Sequence, residues 1–475
     1  MEGHSTVAGN VLSETVRQLE YFFKPRGVAL VGASREPGKV GHELMKNLIE
    51  YGYKGAIYPV NPKADEILGY KCYKSVLEIP GVVDLAVIMV PAAAVPSVLE
   101  ECGQKGVRAI QIISSGFKEV GNVELEKQIV DIARKYGMRI IGPNTFGLVY
   151  TPNNLNASFG PREVLKGSIC FITQSGALGI ALMGWTILEE IGLSGMVSEG
   201  NKCDVDEADL LEYFMHDENT KVITIYMEGL AKGGGRRFVE VAKKVTKLKP
   251  IIVVKGGRSE RGERAVASHT GSIAGSDRVF DAAFKQCGVI RALTLEQMFD
   301  WARVCALQPP PKGENAIIIT NGGGAGVQAT DTCEDYGVNL LQPLPDDLAS
   351  ELRRYMPPFG STRNPVDLTG QAPADAFSGA VYTALKHPNI DSVIVLYCRV
   401  AVLEPIDFAN AVLEAVDKAA SEGIRKTIVA GLVGGADTLD AIRHLNRRGI
   451  PSYPSAERAS AALGAYYRWV RWAKK

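Results

Sequence analysis

The 475-residue sequence has no excess of charge of either sign and no long apolar run. Lysine plus arginine and aspartate plus glutamate each number 53, which gives a formal net charge of zero. A chain without a basic field is not expected to bind nucleic acid or an anionic membrane. No apolar run approaches the ~20 residues of a membrane span, and the first residues lack the basic and apolar regions of a signal peptide. We therefore expect a cytoplasmic protein without membrane contact.

Cysteine and histidine are both scarce. The eight cysteines are scattered without a Cys-x-x-Cys pair, so neither a disulfide framework nor a bound structural metal is expected. Among only six histidines, His269 stands out because residues 265–277 around it are mostly small. This run predicts a loop from which the imidazole could reach a substrate. The alternative is a surface loop that happens to carry a histidine.

Short apolar runs that end in Gly-, Ser- or Pro-rich turns recur along the whole chain. Runs without polar alternation are typical of strands buried on both faces of a parallel sheet. Helical stretches such as 123–136 and 234–247 lie between them, so the pattern predicts a doubly wound α/β fold. In such sheets ligands bind at the carboxyl ends of the strands. The runs are residues 27–31, 56–60, 84–90, 109–113, 139–141, 168–172, 222–226, 250–254, 316–319, 392–397 and 427–430.

The length predicts more than one domain, because single cores stop growing beyond ~250–300 residues. A polar, irregular stretch at 150–166 and the Pro-rich segment 308–313 are the candidate linkers. We place domains at 16–148, 165–307 and 314–475, and expect residues 1–15 to be poorly ordered.

The turn after the first run, Gly32-Ala33-Ser34, leads through Lys39 into a helix. Backbone N–H groups at a helix start favour a phosphate. The glycine spacing departs from Gly-x-Gly-x-x-Gly, and the second run ends in Asn61-Pro62-Lys63 rather than in the acid that an NAD ribose requires. The turn thus favours a phosphorylated ribose over NAD. A turn that binds nothing is the alternative.

Two later turns repeat this geometry. Ser175-Gly176-Ala177 and Gly323-Gly324-Ala325 both follow an apolar run and begin a helix. They suggest a phosphate held between two helix starts, within reach of His269. Glu228 ends another run and could accept a hydrogen bond from one imidazole nitrogen, leaving the other nitrogen as the nucleophile. An ordinary solvated glutamate is the alternative.

Seven segments, in this order and spacing, carry a resemblance to a known family. They are Val31-Gly32-Ala33-Ser34, Val60-Asn61-Pro62-Lys63, Ile113-Ser114-Ser115-Gly116-Phe117, Gly142-Pro143-Asn144-Thr145-Phe146-Gly147, Thr173-Gln174-Ser175-Gly176-Ala177, Ser268-His269-Thr270-Gly271-Ser272 and Asn321-Gly322-Gly323-Gly324-Ala325-Gly326. From about residue 20 onward the chain resembles the α subunits of archaeal ADP-forming acetyl-CoA synthetases (acetate–CoA ligases), in the succinyl-CoA synthetase superfamily.

The resemblance implies a Rossmann-like CoA-binding domain followed by two flavodoxin-like, succinyl-CoA synthetase-like domains. It implies that His269 is phosphorylated and that Glu228 stabilises it. The implied CoA-binding residues are Gly32, Ala33, Ser34, Lys39, Asn61, Lys63, Val90, Pro91, Ser114, Ser115, Gly116 and Asn144. The implied phosphate-binding residues are Ser175, Gly176, Ala177, Gly271, Gly323, Gly324 and Ala325.

The implied reaction is acetyl-CoA + ADP + phosphate ⇌ acetate + ATP + CoA, through acetyl phosphate and a phosphohistidine. The phosphohistidine would swing to ADP/ATP with Mg²⁺ on an ATP-grasp β subunit, in an α2β2 heterotetramer. The small carboxylic acid stays open between acetate and branched, aryl or hydroxy acids. Two other functions remain: a CoA-binding or acyl-CoA-sensing protein without turnover, and an NAD-linked oxidoreductase, which the missing ribose acid disfavours.

Overall fold

The computed structural model describes residues 12–231, 233–270 and 276–475, without the side chains of residues 265 and 267–270. Within these ranges the chain forms three mainly parallel sheets flanked by helices, and this confirms the predicted α/β class. None of the described helices is both long and apolar enough to cross a membrane.

The first sheet is entirely parallel, with the order β2-β1-β5-β6-β7, while β3 and β4 form a separate hairpin. Its doubly wound order reverses between β1 and β5, and ligands bind at the carboxyl side of such a reversal. All five residues of β1 are buried, as the non-alternating sequence predicts. The strands and helices are β1 Gly27–Val31, β2 Ala56–Val60, β3 Glu66–Ile67, β4 Tyr70–Lys71, β5 Leu85–Ile88, β6 Ala109–Ile112, β7 Arg139–Ile141, α1 Glu14–Phe23, α2 Val40–Glu50, α3 Val95–Lys105 and α4 Val123–Tyr136.

The second sheet has the order β14-β13-β12-β10-β11-β8-β9. Its first five strands are parallel, and the order reverses between β10 and β12, whereas β8 and β9 add antiparallel strands at one edge. The strands and helices are β8 Gly147–Tyr150, β9 Leu155–Ser158, β10 Lys166–Thr173, β11 Leu193–Ser198, β12 Val222–Met227, β13 Ile251–Lys255, β14 Ile290–Ala292, α5 Gly176–Leu188, α6 Glu207–His216, α7 Gly235–Val245, α8 Glu260–Thr270, α9 Asp277–Cys287 and α10 Leu295–Leu307.

The third sheet runs β16-β15-β18-β19-β20, all parallel, with the short β17 also paired to β15. The reversal lies between β15 and β18, so the same winding occurs three times. The strands and helices are β15 Asn315–Thr320, β16 Asn339–Leu340, β17 Val366–Asp367, β18 Ser392–Cys398, β19 Thr427–Val433, β20 Ser452–Tyr453, α11 Gly323–Tyr336, α12 Asp346–Leu352, α13 Ala374–Lys386, α14 Pro405–Ser421, α15 Ala436–Arg447 and α16 Ala456–Ala473.

The structure differs from the sequence-based expectations at two places in this part of the chain. The stretch 150–166, expected to be an irregular linker, contains β9, whose four residues are all buried. Its polar Asn156 and Ser158 are satisfied by local hydrogen bonds, which the polarity of the sequence alone does not show. Of residues 1–15, expected to be poorly ordered, 1–11 lie outside the described part, and α1 already begins at Glu14.

Shared apolar cores join the three sheets. One buried cluster runs from α1 and the first sheet into the second, where the ring of Phe23 stacks on Tyr213 at 4.4 Å between centroids. A second cluster runs from the second sheet into the third, through α10, α11 and α16. The carboxyl edges of the first and second sheets are thereby held in one fixed arrangement.

Candidate active site

The turn after β1 requires glycine at its first position. Gly32 has φ +96°, and a Cβ there would lie 2.9 Å from the carbonyl oxygen of Met89, beyond the end of β5. Gly41, in the first turn of α2, packs directly against the Gly32 carbonyl. The helix start therefore lies close to the reversal point of the first sheet, with Ser34 partly exposed and Lys39 exposed beside it.

Hydrogen bonds join the turns along the carboxyl edge of the first sheet. The Asn61 amide donates to the carbonyl of Ala33 at 2.8 Å, and the Asn61 Oδ1 accepts from the Lys63 N–H at 2.9 Å. The Ser114 hydroxyl donates to the carbonyl of Val90, and the backbone carbonyl of Ser114 accepts the Asn144 N–H at 3.0 Å. Most residues predicted to bind CoA thus belong to one continuous row of turns.

The corresponding turn of the second sheet leads from β10 into α5. Ser175 caps the helix, its Oγ accepting the N–H of Leu178 at 3.4 Å. Gly176 and Ala177 are the first residues of α5, where N–H groups have no partner within the helix. This end of α5 has the geometry that favours an anion.

Glu228 directly follows β12, and its side chain faces the protein rather than bulk solvent. The residue is only 6% exposed, which rules out the alternative of an ordinary solvated glutamate. Burial and the neighbouring Glu228 carboxylate together raise the pKa of Tyr226. Glu228 therefore places a carboxylate in a partly desolvated site at the reversal point of the second sheet.

A cleft of about 660 Å³ lies between the first and second sheets and brings many of these residues together. It contains Ser114, Ser115 and Asn144 from the first sheet, and Ser175, Gly176, Ala177 and Glu228 from the second. The lining residues are Val40, Met89, Ile113, Ser114, Ser115, Lys118, Glu119, Asn144, Thr145, Phe146, Phe159, Gln174, Ser175, Gly176, Ala177, Ile180, Gly200, Asn201, Lys202 and Glu228.

Other predicted residues lie outside this cleft. Nine of the predicted CoA-binding residues lie on turns that follow or adjoin the first sheet and do not line the cleft: Gly32, Ala33, Ser34, Lys39, Asn61, Lys63, Val90, Pro91 and Gly116. Gly323 and Gly324 begin α11 after β15, and Ala325 is buried in the core between the second and third sheets. The two predicted helix starts thus do not share the lining of one cavity.

The expectation of a loop at His269 is wrong for the backbone, because α8 extends to Thr270. Alanine, arginine and glutamate are strong helix formers, and they prevail up to this point over the small residues that follow. The His269 side chain and the whole of Gly271 lie outside the described residues, so their predicted roles stay predictions.

Several residues that line the cleft were not predicted from the sequence. They include the polar groups of Gln174 and Lys202 and an apolar wall that contains Phe146, Phe159 and Ile180. Gln174 lies inside a recognised motif but received no role. Lys202 follows β11 by four residues, so the rule of ligands at strand ends would have found it. No periodicity points to the apolar wall, because Phe146 precedes β8, Phe159 follows β9 and Ile180 lies in α5.

Asn201 connects the two sides of the cleft. Its amide donates to the Glu119 carboxylate at 2.6 Å and to the Glu126 carboxylate at 2.9 Å. Burial opposes ionisation of Glu119, but the hydrogen bonds from Asn201 and from backbone N–H groups lower the pKa of Glu119 overall. Burial raises the pKa of the adjacent Glu126.

Comparison with known proteins gives these sites a context. Three domain families match in succession: a CoA binding domain over residues 26–151, a succinyl-CoA ligase-like flavodoxin domain over 166–305 and a ligase-CoA domain over 316–475. A solved structure of a dinucleotide-forming acetyl-coenzyme A synthetase 1 from Ca. Korarchaeum cryptofilum, in complex with phosphate and ADP, superposes with a TM-score of 0.93 at 50% identity, covering 96% of this chain and 97% of that one.

Curated relatives agree with the structural match. The α subunit of ADP-forming acetate–CoA ligase I from Pyrococcus furiosus is 58% identical over 463 residues, which cover 96% of this chain and 99% of the relative. The ADP-forming acetate–CoA ligase of Methanocaldococcus jannaschii is 43% identical and longer, since the match covers 95% of this chain but 63% of that protein. The chain belongs to the family of ADP-forming acetate–CoA ligase α subunits.

Proposed function

We propose that this chain is the α subunit of an ADP-forming acetate–CoA ligase that acts through a phosphohistidine at His269. The observation that carries the proposal is the cleft in which Ser114 and Asn144 of the first sheet meet the start of α5 and the buried Glu228. A thioester held along the turns of the first sheet would place its acyl group near an anion site on the second.

The chemistry divides into three transfers. A phosphate oxygen attacks the acetyl carbonyl carbon, the C–S bond breaks, and CoA leaves as a thiol after its sulfur takes a proton. An imidazole nitrogen of His269 then attacks phosphorus, the bond from phosphorus to the acyl oxygen breaks, and acetate leaves. Finally the P–N bond breaks as an oxygen of ADP takes the phosphoryl group and becomes part of ATP.

This chain's residues support the first two transfers by positioning and charge stabilisation. N–H groups at Gly176 and Ala177 are suited to hold phosphate oxygens. The Glu228 carboxylate would accept a hydrogen bond from one N–H of His269, which fixes the tautomer and stabilises the cation that forms on phosphorylation. Phe146, Phe159 and Ile180 would exclude water from the acyl phosphate.

The nucleotide half of the reaction belongs to a partner in this proposal. The relative from Pyrococcus furiosus is named a subunit, and the relative from Methanocaldococcus jannaschii has about a third of its length outside the match. We assign that additional part to an ATP-grasp β chain that binds ADP with Mg²⁺, in an α2β2 assembly. Mg²⁺ would neutralise phosphate charge there, while His269 carries the phosphoryl group to it.

The decisive experiment is radiolabelling of the complex with its partner chain, using acetyl-CoA and ³²P-phosphate without nucleotide. The native protein should form an acid-labile label, and His269→Ala should form none. His216→Ala, which changes an exposed histidine at the end of α6, is the control and should label normally. Label that persists in His269→Ala would remove the phosphohistidine from this proposal.

Glu228→Gln tests the second assigned residue. The amide keeps the shape but cannot neutralise an imidazolium, so labelling should slow about 100-fold. Thermal-shift measurements separate the alternative functions: stabilisation by CoA without any labelling would indicate a passive CoA binder, and stabilisation by NAD instead of CoA would indicate an oxidoreductase.

A further inference from the structure

The side chain of Gln174 spans the reversal point of the second sheet. It follows β10 directly, and its Oε1 accepts the backbone N–H groups of Glu228 and, at 3.0 Å, of Gly229. Its Nε2 donates to the Gly229 carbonyl at 2.6 Å and to Glu207 at 2.9 Å. One carboxamide therefore binds backbone groups of both Glu228 and Gly229, directly after β12.

Lys202, from the next turn, binds the same Gly229 carbonyl as Gln174. Its ammonium donates to the Gly229 carbonyl at 2.6 Å and to the Glu207 carboxylate at 2.7 Å. The side chains of Lys202 and Glu207 are 9% and 1% exposed. Glu207 is the first residue of α6, which is fixed by a capping box at Asp206, so this support rests on a rigid helix start.

The charges in this group are matched. Burial opposes ionisation of Lys202, but the adjacent Glu207 carboxylate, to which its ammonium also donates a hydrogen bond, raises the pKa of Lys202 overall, and it stays positive. Burial raises the pKa of Glu207 as well, but Glu207 accepts hydrogen bonds from both Lys202 and Gln174, whereas Glu199 accepts none among the described residues, and so the negative charge is best placed on Glu207. A buried ion pair contributes little net stability, but removing one partner is costly because the other charge is left unpaired. The Lys202–Glu207 pair is therefore better explained by a role in positioning the backbone than by a contribution to stability.

The third sheet provides an internal comparison. Asn321 takes the position of Gln174, since it follows β15 and exchanges hydrogen bonds of 3.0 and 2.7 Å with the backbone of Cys398 across the reversal. An amide is thus enough to join the two strand ends. At the second sheet the Lys202–Glu207 pair is added, at the place where the cleft and Glu228 lie.

We propose that Gln174 and Lys202, supported by Glu207, are positioning residues that fix the backbone after β12 and so aim the Glu228 carboxylate at the phosphoryl-transfer site. The inference rests on the proposed role of Glu228. It assigns these groups no contact with the reacting atoms. Small displacements of a positioned catalytic group can cost about 100-fold in rate, so the effect should be large.

The test compares Lys202→Met with Lys249→Met in the complex with the partner chain. Lys249 is a matched control: it is a partly buried lysine of the second domain whose ammonium bridges two carbonyls, those of Phe214 at 2.7 Å and Asp217 at 2.6 Å. It precedes β13, and so it lies at the amino end of the strands rather than at the carboxyl end. Lys202→Met should slow acetyl-CoA-dependent histidine labelling about 30–100-fold, with the KM for acetyl-CoA within about twofold of the native value. Lys249→Met should label within about twofold of native.

A double-mutant cycle with Glu228→Gln identifies the route of the effect. If Lys202 acts through Glu228, then Lys202→Met should slow the Glu228→Gln protein by less than about threefold, because coupled residues are not additive. A full additional loss in that background, a rise in KM alone, or equal losses in the two lysine variants would overturn the inference. Normal labelling by Glu228→Gln would instead refute the proposed role of Glu228, on which the inference depends.

Discussion

At the scale of single residues, Glu199 is the least expected group. It follows β11 and is 1% exposed, and neither carboxylate oxygen has a hydrogen-bond partner among the described residues. Burial, together with the charge of Glu207, raises the pKa of Glu199 well above its usual value. Of the two carboxyl groups, Glu199 therefore keeps its proton to a higher pH than Glu207, which is paired with Lys202.

Glu199→Gln should stabilise the protein relative to the native sequence, and this difference in stability should grow as the pH rises. A raised pKa means that above about pH 4.5 the native state binds more protons than the unfolded state, so native stability falls as pH rises toward the folded pKa. The Gln amide does not titrate, so the variant does not lose stability in this way as the pH rises. Guanidinium unfolding midpoints at pH 5 and pH 8.5 should show a larger advantage of the variant at pH 8.5. The exposed Glu124→Gln is the control, and an equal change there would contradict the assignment.

At the scale of elements, α16 connects the second and third sheets. It packs against both α10 and α11, and its Arg458 forms two hydrogen bonds of 2.7 and 2.8 Å with Asp300 of α10. The Trp469 indole donates to the carbonyl of Thr246, beyond the end of α7, at 2.8 Å. The last helix thus belongs to the core rather than to the periphery.

Asp300→Asn should destabilise this junction by about 2–4 kcal/mol, since it leaves a partly buried guanidinium without its main counter-charge. The Asp300 side chain is only 6% exposed. Asp417→Asn removes an exposed partner of Arg448 in the third domain and should cost less than about 0.5 kcal/mol. Denaturant unfolding measures both changes. Comparable losses would show that α16 does not depend on the buried pair.

Elements also show where the sequence is informative. Strands such as Gly27–Val31 and Arg139–Ile141 and the helix Val123–Tyr136 have the bounds that the apolar pattern predicts. Buried parallel strands have a strong local signature, because both of their faces need apolar side chains. Antiparallel β9 was missed because its polar residues are satisfied by contacts that form only in the folded chain.

At the scale of the whole molecule, the cleft exists because the first and second sheets are fixed to each other. Arg139 of β7 donates at 2.9 Å to Asp204 and at 2.9 Å to Asp209, both in the second domain. The amide of the buried Asn47 of α2 donates at 2.8 Å to the carbonyl of Ser158 at the end of β9. Together with the shared apolar cluster, these contacts predict that the two domains unfold in one transition.

Arg139→Met should uncouple the unfolding of the first domain from that of the second. It removes the cation from the partly exposed Asp204 and leaves the buried Asp209 with Arg237 alone. This should cost about 2–4 kcal/mol, so that calorimetry resolves a separate transition for the first domain. Arg162→Met is the control, because Arg162 also joins the two domains, through Glu43 and Glu50, but is 48% exposed. A single transition in both variants would mean that the apolar cluster alone couples the domains.

Local sequence patterns are enough to predict the α/β class, most strands, the family and the turns that hold the first-sheet residues, because burial on both faces and helix-start glycines leave local signatures. Which turns share a cleft depends on the folded chain. Packing places Ser114 and Asn144 opposite Ser175 and Glu228 in the cleft and leaves Gly323 and Gly324 outside it. It also brings the Lys202 ammonium to the Gly229 carbonyl. These proximities depend on sheet order and on packing between domains, which no local pattern in the chain encodes.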